Sequence, residues 1–273
     1  MSKIIKNNEI HNAIEGIVIK REFRNYVGYS GIGHKCNRKL WYDLRHTYES
    51  TITPRVKRLL NRGKTEEVII IADLRSAGVN VFNTQVEVVN KCFPQLKGHI
   101  DGMVSNVPGY NSKVEMLLEM KTANHARFEK IKKIGVKAFD SSYWMQIQGY
   151  MYELNLTKCL YIISNKNNDE RLYNIYSFEP SFVTDIPYII QDVLDNKTLP
   201  VQIGSSIWWE CKFCDAYKIC HGGDEIFKNC RNCSLGILTC DSEEGVICDL
   251  CSDNSDYDGT KCSKYKELEV LNV

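Results

Sequence analysis

No apolar run in this 273-residue chain approaches the roughly 18 residues that a membrane-spanning helix needs. A membrane-spanning helix is therefore not expected, and neither is a membrane partner. The first residues, Met1-Ser2-Lys3-Ile4-Ile5-Lys6, lack the apolar stretch of a secretory leader. The expectation is an intracellular, cytoplasmic protein. Net charge is only +1, so bulk charge gives no argument for nucleic acid, and no internal repeat is visible. Hydrophobic residues make up 43% and charged residues 25%, the composition of a globular chain with one substantial domain plus an appendage, or two modest domains.

What the chain does have is unevenly distributed. Residues 55–64 hold Arg55, Lys57, Arg58, Arg62 and Lys64 with no acid. Residues 121–137 set six basic residues against Glu129 alone, and residues 241–258 carry seven acids and no base. Local basic clusters of this kind can track a phosphate backbone, although a solvated helix face has the same composition. There are twelve cysteines, nine of them after residue 210. In an intracellular chain that usage points to metal or cluster chemistry more than to a disulfide framework.

The pattern predicts a helix over about 54–77, with Pro54 near its start and Gly78 past its end. Strands are expected at 79–89, 96–104 and 114–122, then a helix over about 139–155. Strands at 157–164 and 171–178 follow, and a helix at 181–195. The expected domains are 1–225 and a cysteine-rich tail, 226–273, with the boundary near Gly222-Gly223.

The chemistry concentrates near the middle. Gly98-His99-Ile100-Asp101 is followed by Leu117-Leu118-Glu119-Met120-Lys121 and by Gln146-Ile147-Gln148-Gly149-Tyr150. Period-two alternation puts Glu119 and Lys121 on one face of their strand. Carboxylate oxygens suit a hard cation such as Mg²⁺, which takes only one or two protein carboxylates and keeps several waters. Such an ion polarises a phosphate and supplies hydroxide near neutral pH, while a neighbouring lysine offsets transition-state charge. The constellation is that of a phosphodiester hydrolase. Helical spacing puts Gln146 and Tyr150 on one face of their helix.

Asp101 and Glu119-Met120-Lys121 resemble the core of the PD-(D/E)XK nucleases, and the Gln146–Tyr150 segment resembles the additional motif of the RecB-like branch. Cys36, with Cys211-x2-Cys214-x5-Cys220 downstream, resembles the iron–sulfur members, among them the AddB nuclease domain and the CRISPR-associated adaptation nuclease. The segments Cys36–Tyr42 and Trp208–Asp215 are similar to those of phage-encoded exonuclease-like proteins. The likeness spans roughly residues 28–225, and it is the ordered set of motifs that is specific.

The resemblance implies an α/β fold, a mixed central sheet flanked by helices, with an iron–sulfur clasp and a small zinc-binding tail. It implies a metal-dependent DNA exonuclease acting on single strands or duplex ends in phage recombination, repair or replication, with a helicase or recombinase as partner. Asp101 and Glu119 would hold Mg²⁺ or Mn²⁺, with Lys121 as catalytic lysine and Gln146 and Tyr150 supporting the site or holding DNA. The family usually adds a ligand on the preceding helix, often a histidine. Here Glu66-Glu67 occupies that place and Glu67 is the candidate. Lys166 is a candidate phosphate contact.

Cys36, Cys211, Cys214 and Cys220 are the implied cluster ligands for a 4Fe-4S centre. Cysteines at such spacing also bind zinc, so residue chemistry alone leaves both open. In the tail, Cys230-x2-Cys233 with Cys248-x2-Cys251 has zinc-ribbon spacing. The resemblance to the phage relatives implies a last ligand farther on, so Cys230, Cys233, Cys248 and Cys262 are the candidate zinc ligands with Cys251 as substitute. So short a segment needs a staple. Cys92 and Cys159 read as small core residues. His99 is expected to line the site without binding metal, and His34 and His125 to be ordinary polar residues. Two rival readings stand beside the exonuclease. One is a non-catalytic, metal-stapled protein that binds DNA or a partner; the other is a CRISPR spacer-adaptation nuclease.

Overall fold

The computed structural model describes residues 8–21, 24–195, 197–239, 246–248 and 262–271. In chain order the first half contains α1 (Asn8–Glu15), β1 (Ile19–Arg21), β2 (Val27–Gly28), α2 (Tyr29–Ile32), α3 (Asn37–Leu44), β3 (Ser50–Ile52), α4 (Pro54–Ser76), β4 (Asn80–Phe82), β5 (Glu87–Val89), β6 (Leu96–His99) and β7 (Gly102–Ser105). Then come β8 (Met116–Ala123), α5 (His125–Phe139), α6 (Ser141–Glu153), β9 (Lys158–Asn165), β10 (Arg171–Ser177), α7 (Ile186–Leu194), α8 (Trp209–Lys212), α9 (Tyr217–His221), β11 (Ile237–Leu238) and β12 (Val246–Ile247). The architecture is mixed α/β. Among the described residues no helix is long and apolar enough to cross a membrane.

The central sheet has five strands in the order β10-β9-β8-β7-β4. Only β8 and β9 run parallel, joined by the crossover through α5 and α6, because parallel neighbours need a long connection. Both are buried on both faces. Met116, Leu118 and Met120 of β8 pack with Ile70 and Leu74 of α4, and Leu117 packs on the opposite side with Ile147 and Met151 of α6. A smaller sheet, β2-β6-β5, lies alongside.

Helix α4 starts where the sequence indicates. Thr53 accepts from the Val56 N–H, Pro54 takes the first turn, and Gly78 follows at φ +84°, a backbone region open to glycine. Two expected strands are each divided. The 79–89 segment breaks into β4 and β5 at Asn83 and Gln85, which have φ of 50° and 56°, and its halves join different sheets. The 96–104 segment breaks into β6 and β7 at Ile100-Asp101, again passing from one sheet to the other. The basic run after residue 121 forms α5, a helix the pattern did not predict, interrupted at Gly135 with φ +77°. The helix expected over 181–195 begins only at Ile186, after a 3₁₀ turn at Pro180–Phe182.

Helix ends tie the early and late parts of the chain together. The guanidinium of Arg45, fully buried, donates to the carbonyls of Val193 (2.8 Å), Leu194 (3.0 Å) and Asp195 (3.0 Å), which the last turn of α7 leaves without intrahelical partners. It also lies 3.9 Å over the Trp41 ring. The C-terminal end of α3 is closed in turn by residues that follow Gly223. Arg231 Nε donates to Leu44 O (2.6 Å), Asn229 Nδ2 to His46 O (3.0 Å), and the Phe227 N–H to Thr47 O (2.7 Å). Replacing Arg45 by Met removes the side-chain donor to the Val193 and Leu194 carbonyls and leaves Asp195 O only the Trp41 indole N–H. We expect a loss of ~2–4 kcal/mol, read as a lower urea midpoint.

Candidate active site

The side chains picked out near the middle of the sequence meet at one end of the central sheet. Glu119 and Lys121 leave β8 on the same face, and Glu119 is only 1% exposed. Lys121 Nζ donates to Glu119 Oε1 and, at 3.3 Å, to Gln146 Oε1 of α6. The Tyr143 ring lies 5.1 Å from the same ammonium. Asp101 arrives from the bend between β6 and β7, where its Oδ2 accepts from the Met120 N–H at 2.6 Å. The division of the expected strand therefore has a use: the chain turns at the point where it must deliver this carboxylate.

Asp101, Lys121 and Glu67 all line a cleft of about 580 Å³ between α4 and the sheet end. The adjacent glutamates are separated by their partners. Glu66 is engaged by Arg171 (Nη2 2.9 Å) and by the Ser164 hydroxyl (2.9 Å). Glu67 faces the cleft within the field of Lys121 and Glu119.

The electrostatics are those of crowded carboxylates. Burial and then the charge of Glu119 push Asp101 up, to about 8. Burial also raises Glu67, with Glu119 adding to the effect and Lys121 opposing it. Burial works against the Lys121 ammonium, but Glu119 and Asp101 outweigh it and hold the lysine above its ordinary range. One lysine thus faces three carboxylates, and Glu119 Oε2 is buried with no hydrogen-bond partner among the described residues. Among the described residues no three His, Cys, Asp or Glu side chains already stand as a metal cage. The donor set nonetheless fits a hard divalent cation, which needs only one or two carboxylates with water completing its shell.

Gln146 and Tyr150 occupy one face of α6, as helical spacing requires. Gln146 touches Lys121, whereas Tyr150 is buried and donates to the His99 carbonyl at 3.1 Å. A Cβ on Gly98 would stand 2.4 Å from the Tyr150 hydroxyl, so this contact requires glycine there. His99 itself is exposed and is not part of the cleft wall, contrary to expectation; only its carbonyl takes part, through Tyr150. His34 bonds to the Cys36 backbone and His125 to Asn165. Lys166 does line the cleft. Arg24 and Tyr143 line it too and were not foreseen. Tyr143 stands one turn before Gln146 on the same helix, a signal available in the spacing, whereas Arg24 comes from a distant segment and no local pattern marks it.

Cys36, Cys211, Cys214 and Cys220 line a single small cavity, with Lys39 beside them. Burial raises the thiols of Cys211, Cys214 and Cys220, and Cys36 adds to each. In the tail, burial raises Cys230, followed by the fields of Cys248, Cys262 and Cys233. Cys240 and Cys251 lie outside the described residues. Cys159 is buried beneath Glu119, but Cys92 is exposed and is not the core residue expected, because it follows β5 on a surface turn.

No family model matches the chain. No curated protein matches it either. Among solved structures it is similar to LHK-Exo in complex with dAMP, at 16% identity over 62% of this chain and 86% of that one, with a TM-score of 0.48. It is similar to an alkaline exonuclease (LHK-Exo) from Laribacter hongkongensis, at 17% identity over 69% and 91%, TM-score 0.46. A phage-related exonuclease from Haemophilus somnus 129PT aligns at 12% identity over 62% and 91%, TM-score 0.40.

The raised carboxyl of Asp101 sets a sign for stability. Its folded value near 8 lies above the unfolded value of about 3.9, so ionisation costs the folded protein. That cost is complete above about pH 8, shrinks as pH falls, and is gone below about pH 4. Metal-free Asp101→Asn protein, whose amide oxygen still accepts from Met120, should melt roughly 3 °C or more above metal-free wild type at pH 9. Thermal scans should show that gap closing towards pH 4. A divalent cation at pH 8 should raise the wild-type midpoint more than that of the variant.

Proposed function

We propose that the chain is a metal-dependent deoxyribonuclease that hydrolyses phosphodiester bonds from the ends of single-stranded or duplex DNA. The observation that carries this reading is the meeting of Asp101, Glu67 and Lys121, with Glu119 buried against Lys121, at a cleft whose wall also holds Arg24, Lys57, Lys64 and Lys166. Acids concentrated at the floor and bases along the wall suit a phosphate chain passing over a cation site.

Asp101 and Glu119 hold Mg²⁺ or Mn²⁺ in this reading, with Glu67 as the third donor from α4. When bound, such an ion supplies a Lewis acid for a phosphate oxygen and hydroxide near neutral pH. Lys121, kept charged by its acidic neighbours, offsets the negative charge that builds on the phosphate. Gln146 holds the Lys121 ammonium in register, and Tyr150 fixes the strand end that leads to Asp101. Arg24, Lys57 and Lys64 neutralise flanking phosphates. Preference for ends rests on the resemblance of the ordered motifs to phage exonuclease-like proteins, because an open cleft by itself also admits an internal strand.

The four cysteines of the clasp hold a 4Fe-4S cluster, with zinc as the chemical alternative, and Cys230, Cys233, Cys248 and Cys262 hold zinc. The first set joins residue 36 to residues 211–220 and acts as a staple beside the DNA entrance. A shared cavity lined by all four thiols supports that assignment. Anaerobically purified protein should contain iron and acid-labile sulfide, and Cys36→Ala should lose most of both. Zinc without iron would replace the cluster by a structural zinc site.

Digestion of linear and circular single-stranded DNA with Mg²⁺ or Mn²⁺ tests the activity. Loss of linear DNA alone, reduced at least ~100-fold in Asp101→Asn and in Lys121→Met, is the expected result. Cleavage of circles as well keeps the nuclease and removes the preference for ends. Cleavage of neither by metal-replete protein favours a non-catalytic DNA-binding scaffold.

A further inference from the structure

Lys166 sits in the turn between β9 and β10 with its backbone fastened on both sides. Its N–H donates to the carbonyl of Ala123 at the end of β8 (2.8 Å), and its own carbonyl accepts from Arg62 Nη2 of α4 (2.6 Å). The turn is thereby tied to the two elements that carry Lys121 and Glu67. Asparagines stiffen it further. Asn165 Oδ1 accepts from the Asn167 N–H at 3.1 Å, and Asn167 Oδ1 accepts from the His125 N–H at 2.9 Å, at the start of α5.

The charges around this turn are left poorly balanced. Among the described residues no acid stands within ion-pair distance of the Lys166 ammonium. Arg62 and Arg127 face it instead, and after burial they are the causes that lower its pKa. Their own acids do not reach Lys166: Asp169, exposed, is 3.9 Å from Arg62, and Asp140, half-buried and occupied in capping α6 through the Ser142 and Tyr143 N–H groups, is 3.3 Å from Arg127. At 3.9 Å the Arg62–Asp169 pair is long and exposed, and contributes at most about 1 kcal/mol. Lys166 on its fastened turn lines the cleft, and with Arg62 of α4 and Arg127 of α5 beside it the three cations make a receptor for a multiply charged anion.

We propose that Lys166, backed by Arg62 and Arg127, forms a second phosphate subsite that grips a non-scissile phosphate of the strand. This rests on the nuclease reading, because the scissile phosphate is taken to lie at Asp101, Glu119 and Lys121. The shared chemistry is a phosphate, either an internal diester with one negative charge or a terminal monoester with nearly two. The subsite sets the position of the strand along the cleft, a task separate from the chemistry at Lys121.

The test uses full-length protein carrying Asp101→Asn, to hold cleavage off, and fluorescence anisotropy with labelled single-stranded oligonucleotides over a salt series. In that background Lys166→Gln should weaken binding several-fold at low salt and reduce the slope of log affinity against log salt by about 0.7. Lys166→Arg should restore the slope, and Lys113→Gln, an exposed charge on another surface, should leave it unchanged. An equal loss on circles and on linear strands identifies an internal diester. A loss confined to end-phosphorylated strands identifies a terminal monoester, and either result supports the subsite. Parental affinity and slope in both Lys166→Gln and the Lys166→Gln/Arg62→Gln double variant would overturn it. If protein with Asp101 intact still cleaves, that outcome removes the subsite and keeps the nuclease. Protein that neither binds nor cleaves before any change at Lys166 removes the reading beneath both.

Discussion

A carboxylate buried in the middle of a sheet is the constraint around which this molecule is arranged. Glu119 is 1% exposed, and an ionised group there is costly unless its charge is answered from close by. The answer comes from two directions: Lys121 reaches back along the same strand, and α6 presents Gln146 to hold that lysine. The bend between β6 and β7, which brings Asp101 against the Met120 N–H, makes the imbalance worse, since a second carboxylate enters the same dry region and is pushed towards neutrality. Stability alone would favour replacing such a group by an apolar one. The proposed divalent cation would offset that excess of negative charge.

The second organising feature is the way helix ends are closed. The last carbonyls of α7 are answered by Arg45 at the end of α3, and the last carbonyls of α3 by Arg231 and Asn229 from the tail. Each cap spans more than 140 residues of sequence. The cysteine-lined cavity formed by residue 36 and residues 211–220 sits in the same region. A metal centre there would reinforce a closure that hydrogen bonds already make, and would hold the early segment against α6 through the Gly33–Ser141 contact (3.0 Å). Tyr143, two residues further on, is already in the cleft wall. The clasp and the cleft are therefore mechanically adjacent.

The parts of the fold legible in sequence are those governed by local rules. Helix α4, with Thr53, Pro54 and Gly78 at its ends, lies within a residue of its expected bounds, and α6, β8, β9 and β10 follow closely. Missed elements have a common cause. The breaks at Asn83–Gln85 and at Ile100-Asp101 occur because one strand serves two sheets, and no local preference announces a change of partner. Helix α5 hides its narrow apolar face, Phe128 and Ile131, among lysines and is interrupted at Gly135.

The candidate site divides in the same way. Residue type, period two and helical spacing are local properties, so it was legible from the residues alone that Glu119 and Lys121 share a face and that Gln146 and Tyr150 share another. Both adjacent glutamates line the cleft, and only the fold shows that Glu66 is already engaged, because Arg171 and Ser164 claim it from strands more than ninety residues away. Tertiary structure also decided that Tyr150 is a buried brace, that His99 stands outside the cleft, and that Arg24 and Lys166 stand within it. Burial and field are sums over neighbours distant in sequence, and only the folded chain brings those neighbours together.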